Sequence, residues 1–427
     1  MNLRHHLESC EEALTLRIVL EFLLNDSSKK LYIRSSFVGS LCEHTPALHI
    51  ACHLRHCLAV KYLIENSDRT DISAKDGNVN IAPHYAIKYT SSDRIIQLLL
   101  EKGADPSIQN GNRNTALHFA IIYERSDHII QLLLEKGADP SILDRFDRKS
   151  ALHFAIIYER SYDIIQLLLE KGADPSVQDR FDRKTALHYA IQHRRSDHII
   201  QLLLEKGADP SIQDRFQRKT ALHYAIQHRR SDHIIQLLLE NGADPSIKDL
   251  DGDTALHCSL LHPDSDDYIT QLLEKGADPS IQNDNGDTVF HIAIWCDNEK
   301  AIQLFLDNGV DIAIRDSYGC TALHLAIEFF DPEKTATSVP LEYANDHIRP
   351  HVADIIREEM SKREGHVPEI LISHTDAPAP CPRTTEARKK RLRTDNLDNP
   401  ENGTKRARSE EIEQVEAQML DMEIDVG

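Results

Sequence analysis

The sequence lacks the features on which catalysis, metal binding and membrane insertion usually depend. No apolar run reaches the ~18 residues that a membrane-spanning helix needs. No H-E-x-x-H, G-x-S-x-G or phosphate-binding loop occurs, and His and Cys show no zinc-ligand spacing. We therefore expect no catalytic residue, no metal site and no cofactor. An enzyme hidden in either terminal segment is disfavoured, since both segments are too short for a catalytic domain.

Basic residues are outnumbered, and the net charge is −20. Such a charge disfavours general affinity for nucleic acid. The polar beginning, MNLRHHLESCEE, predicts no signal peptide. The eight Cys residues contain no C-x-x-C pair and no regular framework, which favours a reduced compartment inside the cell. We expect the nucleus or the cytoplasm as location, and no membrane as partner.

The chain does contain a repeat. A His recurs nine times, each 33 to 35 residues after the last, usually within a Thr-Ala-Leu-His motif. The positions are His49, His84, His118, His153, His188, His223, His257, His291 and His324. A period of this length predicts a stack of small units that bury apolar surface only against their neighbours.

One unit shows how each repeat should fold. Thr185 is a good N-cap, and Leu187 and Ile191 lie on one face of the helix that follows. Residues 199–204 predict a second helix that is apolar nearly all round and needs cover from its neighbours. Gly207 ends this helix as a residue of left-handed conformation.

A turn finger, two antiparallel helices and a Gly-Ala-Asp turn in each period resemble the ankyrin repeat. The resemblance implies an all-α ankyrin-repeat solenoid with β-turn fingers, and partners that dock on the concave side formed by fingers and first helices. We predict a degenerate capping repeat at residues 1–40 and about nine repeats at 41–365, the last one split by an insertion. Residues 366–427, rich in Pro and polar residues, predict a disordered tail.

Three central fingers depart from the family pattern. They read DRFDRK, DRFDRK and DRFQRK, one residue longer than DLDGDT-type fingers and without Gly. The loop between the two helices also lacks its usual Gly and is one residue longer.

These fingers carry aromatic and Arg side chains, a composition typical of binding hot spots. The predicted partner-binding residues are Arg145, Phe146, Arg148, Arg180, Phe181, Arg183, Arg215, Phe216 and Arg218, with His193 and His228 at the ends of first helices. The alternative is structural: each Phe packs on the next finger, and the Arg side chains pair with nearby Asp residues.

The tail has two basic clusters followed by an acidic end. The clusters are Lys389, Lys390, Arg391 and Arg393, then Lys405, Arg406 and Arg408. They resemble a bipartite nuclear import signal, which would bind an import receptor; the alternative is a solvated charge run. Residues 410–426 are acidic with spaced apolar residues, which predicts either a helix formed on a partner or a solvated end.

Together these patterns predict a non-catalytic scaffold or adaptor that binds a partner protein and has access to the nucleus. Two narrower alternatives are an inhibitor or regulator of a transcription factor, and a host-targeted effector of an intracellular microbe. The fold alone does not choose between them.

Overall fold

The structure is a computed structural model that describes residues 14–29, 45–66, 72–89, 93–262 and 266–322, with Leu325, Ile355 and Glu358. The predicted insertion in the ninth repeat and the tail with its basic clusters lie outside the described residues. The chain divides into two compact units, one ending at Ala208 and the other beginning at Asp209.

The first unit contains five helix pairs, here called repeats 1 to 5. Its first helices are Ala47–His53, Ala82–Tyr89, Ala116–Ile122, Ala151–Ile157 and Ala186–Gln192. Its second helices are Cys57–Asn66, Asp93–Glu101, Asp127–Glu135, Tyr162–Glu170 and Asp197–Glu205. First helices pack on first helices of adjacent repeats, and second helices on second helices. Residues 14–24 are helical too, and they lie inside the stretch 1–40 predicted as a capping repeat.

The second unit contains repeats 6 to 8. Its first helices are Ala221–Gln227, Ala255–Ser259 and Val289–Cys296, and its second helices are Asp232–Glu240, Asp266–Glu274 and Glu299–Asp307. No strand occurs in the described ranges, where two isolated bridges join Leu143 to Ser150 and Arg315 to Thr321 at finger bases. The predicted all-helical repeat fold is confirmed.

Of the eight described first helices, the six of repeats 3 to 8 begin with a capping box in which His takes the place of the usual Glu or Gln. In repeat 5 the Thr185 backbone N–H donates to His188 Nδ1 at 3.1 Å, and the two side chains meet at 2.8 Å. Because Nδ1 accepts, the proton of the neutral ring lies on Nε2. The predicted N-cap is therefore confirmed, and the motif His is part of the cap.

Several of the motif His residues also join one repeat to the next. Nε2 donates to a carbonyl in the following finger: His49 to Asn80 at 2.9 Å, His84 to Asn114 at 3.2 Å, and His223 to Asp253 at 3.2 Å. Burial removes these rings from water and lowers the pKa of His84 and His223 to about 4. The neutral donor form needed for this bond is thus the form present at neutral pH.

Second helices supply the rest of the core. In repeat 5 the buried residues include Ile199, Ile200 and Leu203, as the pattern predicts. Gly207 follows with φ +90°, which satisfies the predicted left-handed end of the helix. Its amide donates to Leu204 O and that of Ala208 donates to Leu203 O, so the last carbonyls of the helix are bonded before the chain turns.

The fingers show where the extra residue of the central repeats goes. The first finger residue donates its N–H to the carbonyl five positions later in the long type, as Asp144 does to Lys149. The span is four positions in the short type, as from Asp249 to Asp253. The residue before the accepting carbonyl is left-handed in both types: Gly252 (φ +75°) and Arg113 (φ +61°) in short fingers, and Arg148 (φ +56°) in a long one. An Arg thus takes the backbone conformation for which Gly is usual.

Candidate protein interface

Neighbouring fingers are fixed to each other by their backbones. The Arg145 N–H donates to Asn112 O at 2.9 Å, and the Arg180 N–H donates to Asp147 O at 2.5 Å. Each of these bonds joins the tip of one finger to the tip before it. The side chains on the fingers of repeats 3 to 5 are therefore held at a defined spacing.

The carboxylates at the finger tips are paired within their own fingers. Lys149 Nζ lies 3.7 Å from Asp147, and Lys184 Nζ lies 3.9 Å from Asp182. Both ammonium groups also lie over the Tyr189 ring, at 5.3 and 5.9 Å from its centroid. Burial raises the pKa of Asp147, while the Lys149 charge opposes that rise. These Lys side chains therefore compensate the charge of the finger carboxylates.

The Arg side chains of the central fingers point to solvent. Exposed residues are Arg145, Arg148, Arg180, Arg183, Arg215 and Arg218. Within the described part of the chain none of the six forms an ion pair. Arg145 instead donates weakly to Gly111 O at 3.4 Å, and Arg183 to Gln178 at 3.3 Å. The structural alternative, in which these guanidinium groups pair with Asp, does not hold for the described residues.

The three finger Phe residues differ in exposure. Phe181 is 51% exposed and Phe216 is 61% exposed, whereas Phe146 is half-buried. The Arg215 guanidinium lies 6.0 Å from the Phe216 ring centroid, at the outer limit of a cation–π contact. Two of the three rings therefore offer apolar surface to a partner, and Phe146 is partly used for packing.

The two His residues of the predicted interface lie at the ends of first helices. His193 is stacked on Tyr189 with centroids 6.0 Å apart, and His228 is stacked on Tyr224 at 5.9 Å. Both rings are half-buried. Each has one face against its own repeat, so only part of the ring is available for binding. Their predicted role in binding stays a prediction.

Sequence reasoning missed the function of the extra residue in the loop between the helices. Arg160 Nη2 donates to Arg125 O at 2.6 Å and to Asp127 at 2.5 Å, and Arg195 donates to Arg160 O at 2.8 Å. Each inserted Arg thus binds the preceding repeat. The signal in the sequence is an Arg at a 35-residue period, directly before the Ser that precedes each second helix.

Among the described residues no group of three or more His, Cys, Asp or Glu side chains is placed to hold a metal ion. Over the same part of the chain no helix combines the length and apolar character required to span a membrane. The import-signal residues Lys389, Lys390, Arg391 and Arg393, with Lys405, Arg406 and Arg408, lie outside the described residues.

Comparison with known proteins bears on the repeat itself. A comparison with curated proteins finds no match. Among solved structures, the chain is similar to the crystal structure of the ankyrin repeat domain of Bcl-3, described as a unique member of the IkappaB protein family. That likeness has 27% identity, 61% coverage of this chain, 98% coverage of the other and a TM-score of 0.43.

The family profile described as ankyrin repeats in three copies matches residues 13–110, 83–179, 187–283 and 263–337. These matches cover well over half of the sequence, and they contain all eight helix pairs of the two units. The chain belongs to the ankyrin-repeat family.

Proposed function

We propose that this protein is a non-catalytic adaptor that binds a partner protein through the fingers of its central repeats. The observation that carries the proposal is the placement of Arg145, Arg148, Arg180 and Arg183 in solvent while the acids beside them are paired with Lys. Guanidinium groups held at a fixed spacing suit carboxylates, which they bind through two parallel hydrogen bonds. Phe181 adds an exposed aromatic anchor.

The surface favours a partner segment that is acidic and carries apolar side chains. Arg and aromatic residues dominate the free energy at protein interfaces when a partner covers them fully. The two narrower alternatives, a regulator of a transcription factor and a microbial effector, would use the same fingers. They differ only in the identity of the partner protein. Capture of that protein from native cells would establish its identity.

The test replaces the three finger rings together, Phe146→Ala, Phe181→Ala and Phe216→Ala. We expect affinity for the captured partner to fall by about 2 kcal/mol or more, roughly 30-fold, because exposed anchors lose their binding contacts. The matched control is Tyr162→Ala, since Tyr162 is 41% exposed on a second helix. Loss of the cooperative melt with unchanged affinity of the folded fraction would show that the rings serve packing instead.

We also propose that the basic clusters direct the protein into the nucleus. The support is their spacing: Lys389–Arg393 and Lys405–Arg408 are separated by 11 residues. Import receptors bind such clusters through charge. Replacing Lys389, Lys390 and Arg391 by Ala should lower the nuclear fraction of a fluorescent fusion. An unchanged distribution, with a matched Lys→Ala change at Lys136 as reference, would leave a solvated charge run as the explanation.

A further inference from the structure

The fingers of repeats 3 to 5 form one basic surface within the first unit. Its members are the exposed side chains Arg113, Arg145, Arg148, Arg180, Arg183 and Phe181, here called the finger surface. The backbone bonds from Arg145 to Asn112 and from Arg180 to Asp147 hold its three tips together. Since Asp147 and Asp182 are paired with Lys residues, the finger surface presents positive charge around an exposed ring.

The chain itself contains a segment of complementary chemistry. Residues 410–426 hold seven acidic residues and no Lys or Arg. Five of their apolar residues, Ile412, Val415, Met419, Met422 and Val426, are spaced by three and four residues in alternation. This spacing places them on one face of a helix, with carboxylates on either side. Such a segment offers apolar contacts to Phe181 and carboxylates to the Arg residues around it.

We propose that residues 410–426 dock on the finger surface of the same chain and cover it. The proposal rests on the proposed function, because the segment would occupy the surface through which the adaptor binds its partner. Arg residues of the three fingers would bind the carboxylates, and the apolar face of the segment would lie against Phe181. The bound segment is then an internal competitor that an acidic partner must displace.

A long stretch of chain precedes the segment. Between Glu358 and Glu410 lie about 50 residues, which span up to about 170 Å when extended. A tethered segment has an effective concentration in the millimolar range. Binding too weak to detect between separate molecules therefore suffices to cover the surface much of the time, and a stronger partner still displaces it.

The test places a photo-crosslinker in the full chain. p-Benzoylphenylalanine in place of Phe181 should form crosslinks to residues 410–426 of the same molecule, identified by mass spectrometry of the monomer band. A second variant adds Glu410→Gln, Glu411→Gln, Glu413→Gln and Glu416→Gln, and should lose most of that crosslink. The control carries the same crosslinker in place of Tyr162, exposed on a second helix, and should not reach the segment.

The dependence of the crosslink yield on salt concentration is an independent test. Raising the salt from 0.1 M to 1 M shortens the Debye length from about 10 Å to about 3 Å and should reduce the crosslink from position 181. Crosslinks to the basic residues 383–408, to a second molecule, or equally from positions 181 and 162 would overturn the proposal. So would a crosslink that the four Gln changes leave intact.

The outcome separates this inference from the proposed function. If residues 410–426 do not crosslink while the three Phe→Ala changes still weaken partner binding, the adaptor function stands and the internal competitor does not. If the crosslink forms but those Phe changes leave partner binding unchanged, the segment covers a surface that the partner does not use. Deleting residues 410–427 should, when both hold, raise the affinity for the captured partner.

Discussion

In repeats 5 and 6 a buried Tyr–Asp pair holds the finger against its own helix. The Tyr189 hydroxyl donates to Asp179 at 2.5 Å, and the Tyr224 hydroxyl donates to Asp214 at 2.7 Å. Phe154 occupies the corresponding position in repeat 4, ten residues after Asp144. Burial raises the pKa of Asp144, which accepts only backbone N–H groups and has no Tyr donor in its own repeat. The apolar positions of these helices were predictable from their period, but this contact was not, because it requires the finger to fold back over the helix.

Two substitutions, one at Tyr189 and one at Phe154, test the hydrogen bond between Tyr and Asp. Tyr189→Phe should lower the free energy of unfolding by about 1–3 kcal/mol, since it leaves a buried carboxylate with one donor fewer. Phe154→Tyr should raise it by about 1 kcal/mol, since the new hydroxyl can donate to Asp144. Urea unfolding followed by circular dichroism measures both. Equal midpoints for Tyr189→Phe and the parent chain would show that water replaces the hydroxyl at no cost.

Among the structural elements, the finger turn is the one whose conformation the sequence predicts least well. The absence of Gly from the central fingers predicts an altered loop, and the structure confirms the extra residue. The sequence did not show which residue becomes left-handed, because several polar residues follow one another there. Arg183 takes φ +55° and Arg218 takes φ +53°. Short fingers differ among themselves: Val79 and Arg113 take φ +64° and +61° in two of them, whereas a Cβ on Gly286 would lie 2.4 Å from Ser317 N.

Two Gly→Ala changes separate the cost of a left-handed backbone from the cost of overlap with the next finger. Gly276 has φ +87° and no atom within 4 Å of an added Cβ, so Gly276→Ala should cost about 1–2 kcal/mol from the backbone alone. Gly286→Ala, at φ +75°, adds the overlap with the next finger and should cost about 3 kcal/mol or more. Chemical unfolding of both variants gives the difference. A cost for Gly286→Ala no larger than that for Gly276→Ala would mean that neighbouring fingers move apart freely.

The inserted Arg of the interhelical loop gives a second prediction at this scale. Arg160→Lys keeps the charge but removes Nη2, the nitrogen that donates to both Arg125 O and Asp127. We expect a loss of about 1–2 kcal/mol in unfolding free energy. The control is Arg194→Lys at an exposed position of the same kind of loop, which should change little. The same loss in both variants would assign the effect to the loop backbone.

Across the whole molecule, buried histidines couple stability to pH. Burial lowers the pKa of His84, His118, His153 and His223 to about 4, against an ordinary value near 6.5. Between these values the unfolded chain binds more protons than the folded chain, so stability rises with pH. Asp249, with its pKa raised to about 6, acts in the opposite direction over part of this range. The recurrence of His was evident from the sequence, but the neutral state of these rings and the bonds at both nitrogens of His84 and His223 were not.

We therefore expect the melting temperature to be highest above pH 6.5 and to fall as the pH is lowered toward 4. Each fully buried His contributes up to about 3 kcal/mol to this change. Melting curves at pH 7.5, 6 and 5 measure it, and the slope gives the number of protons taken up on unfolding. A melting temperature that stays flat over this range would show that the rings are protonated in the folded state.

Residues 183–205 and 218–240 are identical, and they contain the first and second helices of repeats 5 and 6. Removing residues 183–217 would join Asp182 to Arg218 and restore an unbroken DRFDRK finger. The two identical copies can also replace each other during folding. Either copy can pack against the neighbours of the other, so the folding chain can form two alternative alignments of its repeats. Refolding should therefore include a slow phase in which misregistered molecules unravel, a failure characteristic of repeat proteins. A single conservative change in one copy, such as Ile191→Val, should remove little stability and leave the slow phase in place. Replacing one copy by the divergent repeat 8 should abolish the slow phase.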